Sequence, residues 1–399
     1  MSLSPDFTII GAGILGLSVA QELLNQYPSV KIEILEKEDR VGRHASGRNS
    51  GVLHSGIYYK EDSLKARVCA EGAREMAQFC REHDLPINEY GKVIVPTKQD
   101  DDPVIDVLDK RAKINGAKVE IIDGKQLLEI EPSVSVITGR ALYSPHTAVV
   151  DAGAILNKLV ELLTAKGVSI RYGVEVKDVD VNSKKIITSK ESRPFNFVVN
   201  AAGLYADRVA QMCQCGMDYV MLPFKGLYYD VQKTTDLKIN GLIYPVPDMS
   251  VPFLGVHFTK GITGKVFVGP TAVPALGREN YRGLNGAKLF EFAPTLYRLA
   301  GQYMVNKNGF RRYAHEEAAR FLKSKFTDAA KVLIPEIKES DLSLSSKVGI
   351  RAQLFDKKDK EIIHDFVVEK NEYSIHVLNA VSPAFTSAFS FSKYLVNKI

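Results

Sequence analysis

The chain has 399 residues, of which 45% are hydrophobic and 25% charged, and its formal net charge is +5. That length exceeds one hydrophobic core of ordinary size and predicts two domains, and the composition excludes a disordered chain. So small a positive balance, without clustered basic and aromatic patches, speaks against nucleic acid as a partner and fits an anionic substrate weakly.

The first element is an apolar strand, Phe7 to Ile10, that runs into Gly11-Ala12-Gly13-Ile14-Leu15-Gly16. This is a G-x-G-x-x-G turn between a strand and a helix. Gly11 allows the tight turn, Gly13 lets backbone approach a pyrophosphate, and Gly16 lets the helix pack close to the strand. The first helical turn, with Ile14 and Leu15, aims free N–H groups at phosphate. Leu17, Ala20, Leu23 and Leu24 give that helix one apolar face. A second strand, Lys31 to Leu35, ends at Glu36-Lys37, and an acidic residue about 20 positions after the glycines is where a dinucleotide ribose is gripped.

Gly42 to Tyr59 is a long loop rich in Gly, Ser, His and Arg. A helix is predicted over 63–83, a strand over 92–96 and a helix over 102–115. A second amphipathic helix, 153–166, leads to a strand at 169–172. The continuous apolar strand 195–200 ends at Ala201-Ala202-Gly203 and returns to the dinucleotide sheet, buried on both faces. Strands of an antiparallel sheet are predicted at 226–231, 241–245, 253–259 and 265–269, with Pro223-Phe224 as a turn. Residues 289–326 are mostly helical, 348–354, 365–369 and 374–378 are strands, and a last helix covers 383–396, with Ser382 as N-cap and Pro383 at its first position. The four cysteines, Cys69, Cys80, Cys213 and Cys215, match no zinc or C-x-x-C spacing, and no metal site is expected. The start of the chain leaves no room for a leader, and no stretch is long and apolar enough to span a membrane. A cytoplasmic protein, or one on the cytoplasmic membrane face, is expected.

The expected fold is α/β with discontinuous domains. A Rossmann-like dinucleotide domain takes residues 1–85, 145–212 and 340–399, and an inserted mixed-sheet α+β substrate domain takes 86–144 and 213–339.

The run Arg48-Asn49-Ser50-Gly51-Val52-Leu53-His54-Ser55-Gly56-Ile57-Tyr58-Tyr59, with Pro223-Phe224-Lys225-Gly226, Tyr244-Pro245-Val246-Pro247 and Leu254-Gly255-Val256-His257-Phe258-Thr259, resembles the L-2-hydroxyglutarate dehydrogenase/oxidase family. That family belongs to the D-amino-acid-oxidase-like flavoenzymes, and the resemblance covers nearly the whole chain. It implies non-covalent FAD and oxidation of L-2-hydroxyglutarate to 2-oxoglutarate, with hydride passing from C2 to flavin N5 and electrons onward to oxygen or a membrane quinone. Ser46, Arg48, Asn49 and Ser50 are expected on the phosphates and ribityl chain, Val176 at the adenine edge, and Pro383, Ala384 and Thr386 at the flavin pyrimidine, where a helix N-terminus stabilises reduced flavin.

A base for the hydroxyl proton should titrate near neutrality, which favours histidine. His257 and His54 are the candidates. A dicarboxylate needs two cationic contacts: Arg351, near the flavin, is the first choice, Lys225 the second and Arg278 the third. Tyr59 and Tyr244 are candidate carboxylate donors. Arg298, Arg311, Arg312, Arg320, Lys323 and Lys325 lie among apolar residues of the 289–326 helices, a pattern that suits either peripheral membrane contact or a solvated face. The alternatives are another enzyme of the same superfamily acting on an amino acid or glycerol phosphate, a non-catalytic FAD-binding subunit, and an NAD-linked dehydrogenase.

Overall fold

The computed structural model describes residues 4–248, 254–306 and 309–399. The N-terminal strand Phe7–Ile10 lies between Ile32–Leu35 and Phe197–Asn200, parallel to both. Ser169–Arg171 extends the sheet on one side, and the hairpin Val368–Lys370 and Ser374–Val377 on the other, giving six strands. The central strands of this sheet are covered on both faces. The helices Ile14–Gln26, Leu64–Glu82, Ala152–Ala165 and Ala388–Val396 pack there through Leu17, Leu23, Met76, Leu159 and Phe391. Two of these helices begin where the sequence supplies a cap: Ser63 Oγ accepts from the Ala66 amide at 3.1 Å, and Asp151 accepts from that of Ala154 at 3.0 Å.

A second sheet has ten strands. Its backbone is the antiparallel pair Tyr219–Val231 and Leu342–Asp356. Val266–Gly269, His257–Lys260, Leu242–Pro245, Lys92–Val95, Arg140–Ser144 and Glu120–Asp123 follow in order. Alternation along Lys92–Val95 sends Val93 and Val95 to a core closed by Phe326 and Ala330. Ile94, and with it Lys92, points to the opposite face, against Val52, Val149, Leu242 and Tyr244.

Three expectations are corrected here. Pro223 is inside a strand and not in a turn: it pairs with Ala352, and its carbonyl accepts from Ala275 at 2.9 Å. Its missing N–H faces the side where only the two-residue strand Val273–Pro274 pairs, so the missing donor falls at the end of that short ladder. Leu242–Pro245 pairs antiparallel with His257–Lys260 and parallel with Lys92–Val95, which gives the mixed sheet expected of this domain. Leu342–Asp356 and Glu361–Ile362 belong to this sheet, which moves the last piece of the dinucleotide half past 362 instead of 340. The final helix starts at Ala388, not at Pro383. The Ser382–Pro383 bond is cis, and the Ser382 hydroxyl lies beside that of Tyr59, where it cannot cap a helix. Of the strand expected at 253–259, Phe253 lies outside the described residues.

Candidate active site

Strands Phe7–Ile10 and Phe197–Asn200 leave the central sheet in different directions at their C-terminal ends. Such a switch point leaves a crevice, and ligands bind in it. Here it is a cavity of about 260 Å³ lined by Gly11, Ala12, Gly13, Glu36, Lys37, Ser46, Val176, Ala201, Ala202 and Gly203. Gly11 has φ +102°, and a Cβ there would stand 2.6 Å from the Ala201 carbonyl oxygen. A Cβ on Gly13 would meet Ser46 Oγ at 3.0 Å, and one on Gly16 would overlap the Gly11 carbonyl oxygen. The Ala12 amide donates to Glu36 Oε2 at 2.9 Å, and that of Ile14 to Ser46 Oγ at 3.0 Å. Leu15 is buried one residue further into the helix. A glycine turn with amides and one carboxylate on its rim suits a dinucleotide, whose pyrophosphate needs backbone approach and whose ribose needs an acceptor.

Beside it lies a second cavity of about 360 Å³, lined by Glu38, Arg43, His44, Arg48, Glu279 and Tyr281 among others. Lys37 Nζ hydrogen-bonds Glu38 and Glu279, and His44 bridges Glu38 and Tyr281 at 2.8 and 2.7 Å. Glu38, His44 and Glu279 are close enough to hold a metal ion, but the Lys37 ammonium already bonds both carboxylates. Although burial opposes it, Lys37 and His44 hold the Glu38 carboxyl down to about 2.

The loop after the second strand departs in part from expectation. Arg48 stacks on Tyr281 at 4.1 Å and donates to the Arg43 carbonyl, so it faces the second cavity. Asn49 accepts from the Gly51 amide and donates to the Ser46 carbonyl, and the Ser50 hydroxyl accepts from the Val52 amide. Both side chains therefore shape their own loop and do not line the glycine cavity. Thr386 ties the C-terminal segment to this loop: its hydroxyl accepts from the His54 amide and donates to the Val52 carbonyl, each at 3.2 Å. Pro383 and Ala384 are buried just before it.

His257 and His54 come together although 203 positions separate them in the sequence. Burial, with the charge of Lys92 and the neighbouring His257, pushes His54 down to about 3. Burial, with Arg351 and Lys92, pushes His257 down to about 4, below the near-neutral value expected of the base, because the enclosed site disfavours the imidazolium. The His257 ring lies 4.1 Å from that of Tyr244. Its Nδ1 is 2.8 Å from the Gly255 carbonyl, which can only accept. The proton of the neutral ring is therefore on Nδ1, and the lone pair is on Nε2. Tyr59 and Tyr244 are enclosed, and burial raises both phenols.

Of the three cations expected for a dicarboxylate, the structure separates two and removes one. Arg351 stands opposite Phe224 in the strand pair, and Lys225 stands opposite Ile350. Alternation puts Arg351 and Lys225 on opposite faces. Lys225 Nζ donates to Asn280 Oδ1 at 2.9 Å. Arg351 donates to the Thr271 carbonyl at 3.2 Å and lies close enough to act on His257. Arg278 is 5% exposed and donates to both oxygens of Asp207, at 2.5 and 2.8 Å, and to the Leu204 carbonyl. It is an interior ion pair, not a substrate contact.

Sequence reasoning missed Lys92, whose ammonium lies 4.9 Å from the Tyr58 ring and 5.4 Å from that of Tyr244. A lysine opening the apolar run Val93-Ile94-Val95 was the available signal. It missed the Lys37–Glu279–Tyr205 network too, because residues 242 positions apart carry no local sign of contact.

Fold and crevice together define an oxidoreductase built around FAD, and the FAD dependent oxidoreductase (DAO) family matches residues 6–398. Within that class the chain belongs to the L-2-hydroxyglutarate dehydrogenase family. It is 40% identical to the enzyme so named from Indibacter alkaliphilus, over 96% of this chain and 95% of that one. It is 33% identical to the mitochondrial protein of Homo sapiens, over 99% and 88%. Among solved structures, an FAD-bound L-alpha-glycerophosphate oxidase from Mycoplasma pneumoniae shares the fold with a TM-score of 0.76 at 20% identity, over 99% of this chain and 94% of that one. FAD is the cofactor of this fold, and the crevice described above fits it.

Proposed function

We propose that the protein oxidises L-2-hydroxyglutarate to 2-oxoglutarate. The observation that carries the chemistry is a neutral, buried His257 whose Nδ1–H is committed to Gly255, next to the Arg351 guanidinium. FAD, held without a covalent bond, supplies the acceptor for the hydride that leaves C2. His257 Nε2 takes the hydroxyl proton, and Arg351 binds one carboxylate as the ring of Tyr244 supports the imidazole. His54 and Tyr59 orient the substrate. Glu36 and the glycine turn would hold the ribose and pyrophosphate, Val176 the adenine edge, and the segment carrying Thr386 the pyrimidine. The names of relatives at 33–40% identity support the substrate.

The test is the visible spectrum of the purified protein, then anaerobic addition of L- and D-2-hydroxyglutarate. Flavin bands bleached by the L form alone are expected. A yellow protein bleached by neither would refute the substrate assignment, and bleaching by an amino acid or glycerol phosphate would move it to another member of the superfamily.

We propose further that the electrons pass to a membrane quinone. No helix among the described residues is long and apolar enough to cross a membrane. The helices Leu289–Val305 and Phe310–Ala319, however, leave Phe290 94% and Tyr297 81% exposed, with Leu289, Met304, Val305, Phe321 and Leu322 also in solvent. Arg298, Arg311, Arg312, Lys323 and Lys325 lie in the same stretch, and of these Arg312 pairs with Asp248 and Lys325 with Asp328. Exposed apolar side chains on helices that also carry cations suit an anionic lipid surface. Co-sedimentation with anionic vesicles at low salt is expected. Its absence, with rapid reoxidation of reduced flavin by air, would favour oxygen.

A further inference from the structure

A dicarboxylate calls for a second cation on the His257 side, and Lys225 is turned to the opposite face from Arg351. Lys92 is 1% exposed and lies on the face of its strand that meets Tyr244. His54 and His257 both feel its charge. Among the described residues no carboxylate pairs with it, and the Cys69 thiol is the one acid that favours its charged form. Withdrawing an ammonium from water is costly. The two ring contacts offset only part of that cost. Close by, the Tyr58 hydroxyl is buried without a hydrogen-bond partner among the described residues. An ammonium without a counter-ion beside a hydroxyl without an acceptor is the donor set of a carboxylate site.

We propose that Lys92, with the Tyr58 hydroxyl, binds the substrate carboxylate at the end away from Arg351. This rests on the 2-hydroxy dicarboxylate reading above. Lys92 Nζ is 5.4 Å from the Tyr244 ring, and that ring lies 4.1 Å from the His257 imidazole, so a molecule spanning Lys92 and Arg351 passes that imidazole.

The test titrates oxidised holoenzyme with glutarate and with butyrate, which lacks the second carboxylate, and follows the flavin spectrum. Wild type is expected to prefer glutarate by roughly 30-fold or more, the range of a desolvated charge pair. Lys92→Met should bind the two within about 3-fold of each other, and Lys92→Arg should restore most of the preference.

A second arm does not depend on the neutral variant folding. Burial holds Lys92 near 8, so wild-type affinity for glutarate should fall about tenfold per pH unit above that value, and Lys92→Arg should abolish the fall. The groups facing Lys92 keep their charge there: His54 stays near 3 and His257 near 4, Cys69 sits at about 12, and burial raises Tyr58 and Tyr244. Lys65, beside Asp365, and Lys347, over Phe267, are also held near 8 but remain in the Lys92→Arg protein, so they would leave the fall in place.

A Lys92→Met protein that keeps the glutarate preference overturns the proposal. So does one that loses both ligands equally, or one that shifts only the flavin potential. Survival of the alkaline fall in Lys92→Arg does the same. Wild type without any glutarate preference instead overturns the dicarboxylate reading beneath it.

Discussion

His257 should remain a competent base well below the pH at which an ordinary imidazole protonates. Burial is the main cause, and Arg351 and Lys92 add to it, holding the ring near 4 against the usual 6.5. At pH 5 a group titrating at 4 is roughly nine-tenths neutral, and one titrating at 6.5 is roughly 3% neutral, a difference of about 30-fold in competent enzyme. The assay is anaerobic stopped-flow reduction of the flavin by L-2-hydroxyglutarate from pH 4.5 to 8. The second-order constant at low substrate reports the free enzyme. It should be flat from about pH 7 to about 5 and fall below that, apart from the alkaline limb that begins where Lys92 loses its proton near 8. His257→Gln should lose about 10²- to 10⁴-fold across the whole range, the usual loss for a removed general base. Replacing Arg351 by Met removes one source of the depression and should move the acid limb upward. A wild-type limb near 6.5, or a His257→Gln protein reduced at the wild-type rate, would refute the assignment of His257 as base.

Gly16→Ala should destabilise the protein by about 1–3 kcal/mol or more, because its Cβ overlaps the Gly11 carbonyl and backbone must shift; a lower Tm and a reduced flavin-to-protein ratio would register this. Arg278→Met strands the Asp207 carboxylate in the interior and should cost about 3–5 kcal/mol in denaturant unfolding. It should not change the preference for glutarate over butyrate, and a selective loss of that preference would return Arg278 to the substrate site. His376 is 0% exposed between Asn200 and Ser374, and burial holds it down to about 4. A folded-state pKa below the unfolded one means that its stability contribution is complete above about 6.5 and lost as the pH falls toward 4, by about 1.4 kcal/mol per unit. Unfolding free energies measured between pH 7 and 4.5 should show this slope, and His376→Gln should flatten it by that amount.

The dinucleotide half was legible because its determinants are local. Gly11, Gly13 and Gly16 are dictated by close approach of backbone, and Glu36 follows at the end of the next strand, so one stretch of sequence carries the whole turn. Capping was legible for the same reason at Ser63, where hydroxyl and amide are three residues apart. The last helix misled because Ser382-Pro383 has the composition of a helix start, yet the hydroxyl is drawn to Tyr59, 323 positions away. Pro223 misled similarly, since a proline inside a strand depends on which neighbour lies beside its missing N–H, and only the sheet order says so.

The chain alone determined the class of fold and the cofactor crevice, since each rests on residue type at short spacing, while His257 and His54 entered as candidate bases through the family resemblance. The tertiary structure decided which charges meet. It paired Arg278 with Asp207, turned Lys225 away from Arg351, and set Lys92 beside two neutral imidazoles. Those outcomes depend on strand order and register between segments hundreds of residues apart. A charge acts on whatever lies within a few ångströms, however far away in the sequence that neighbour is.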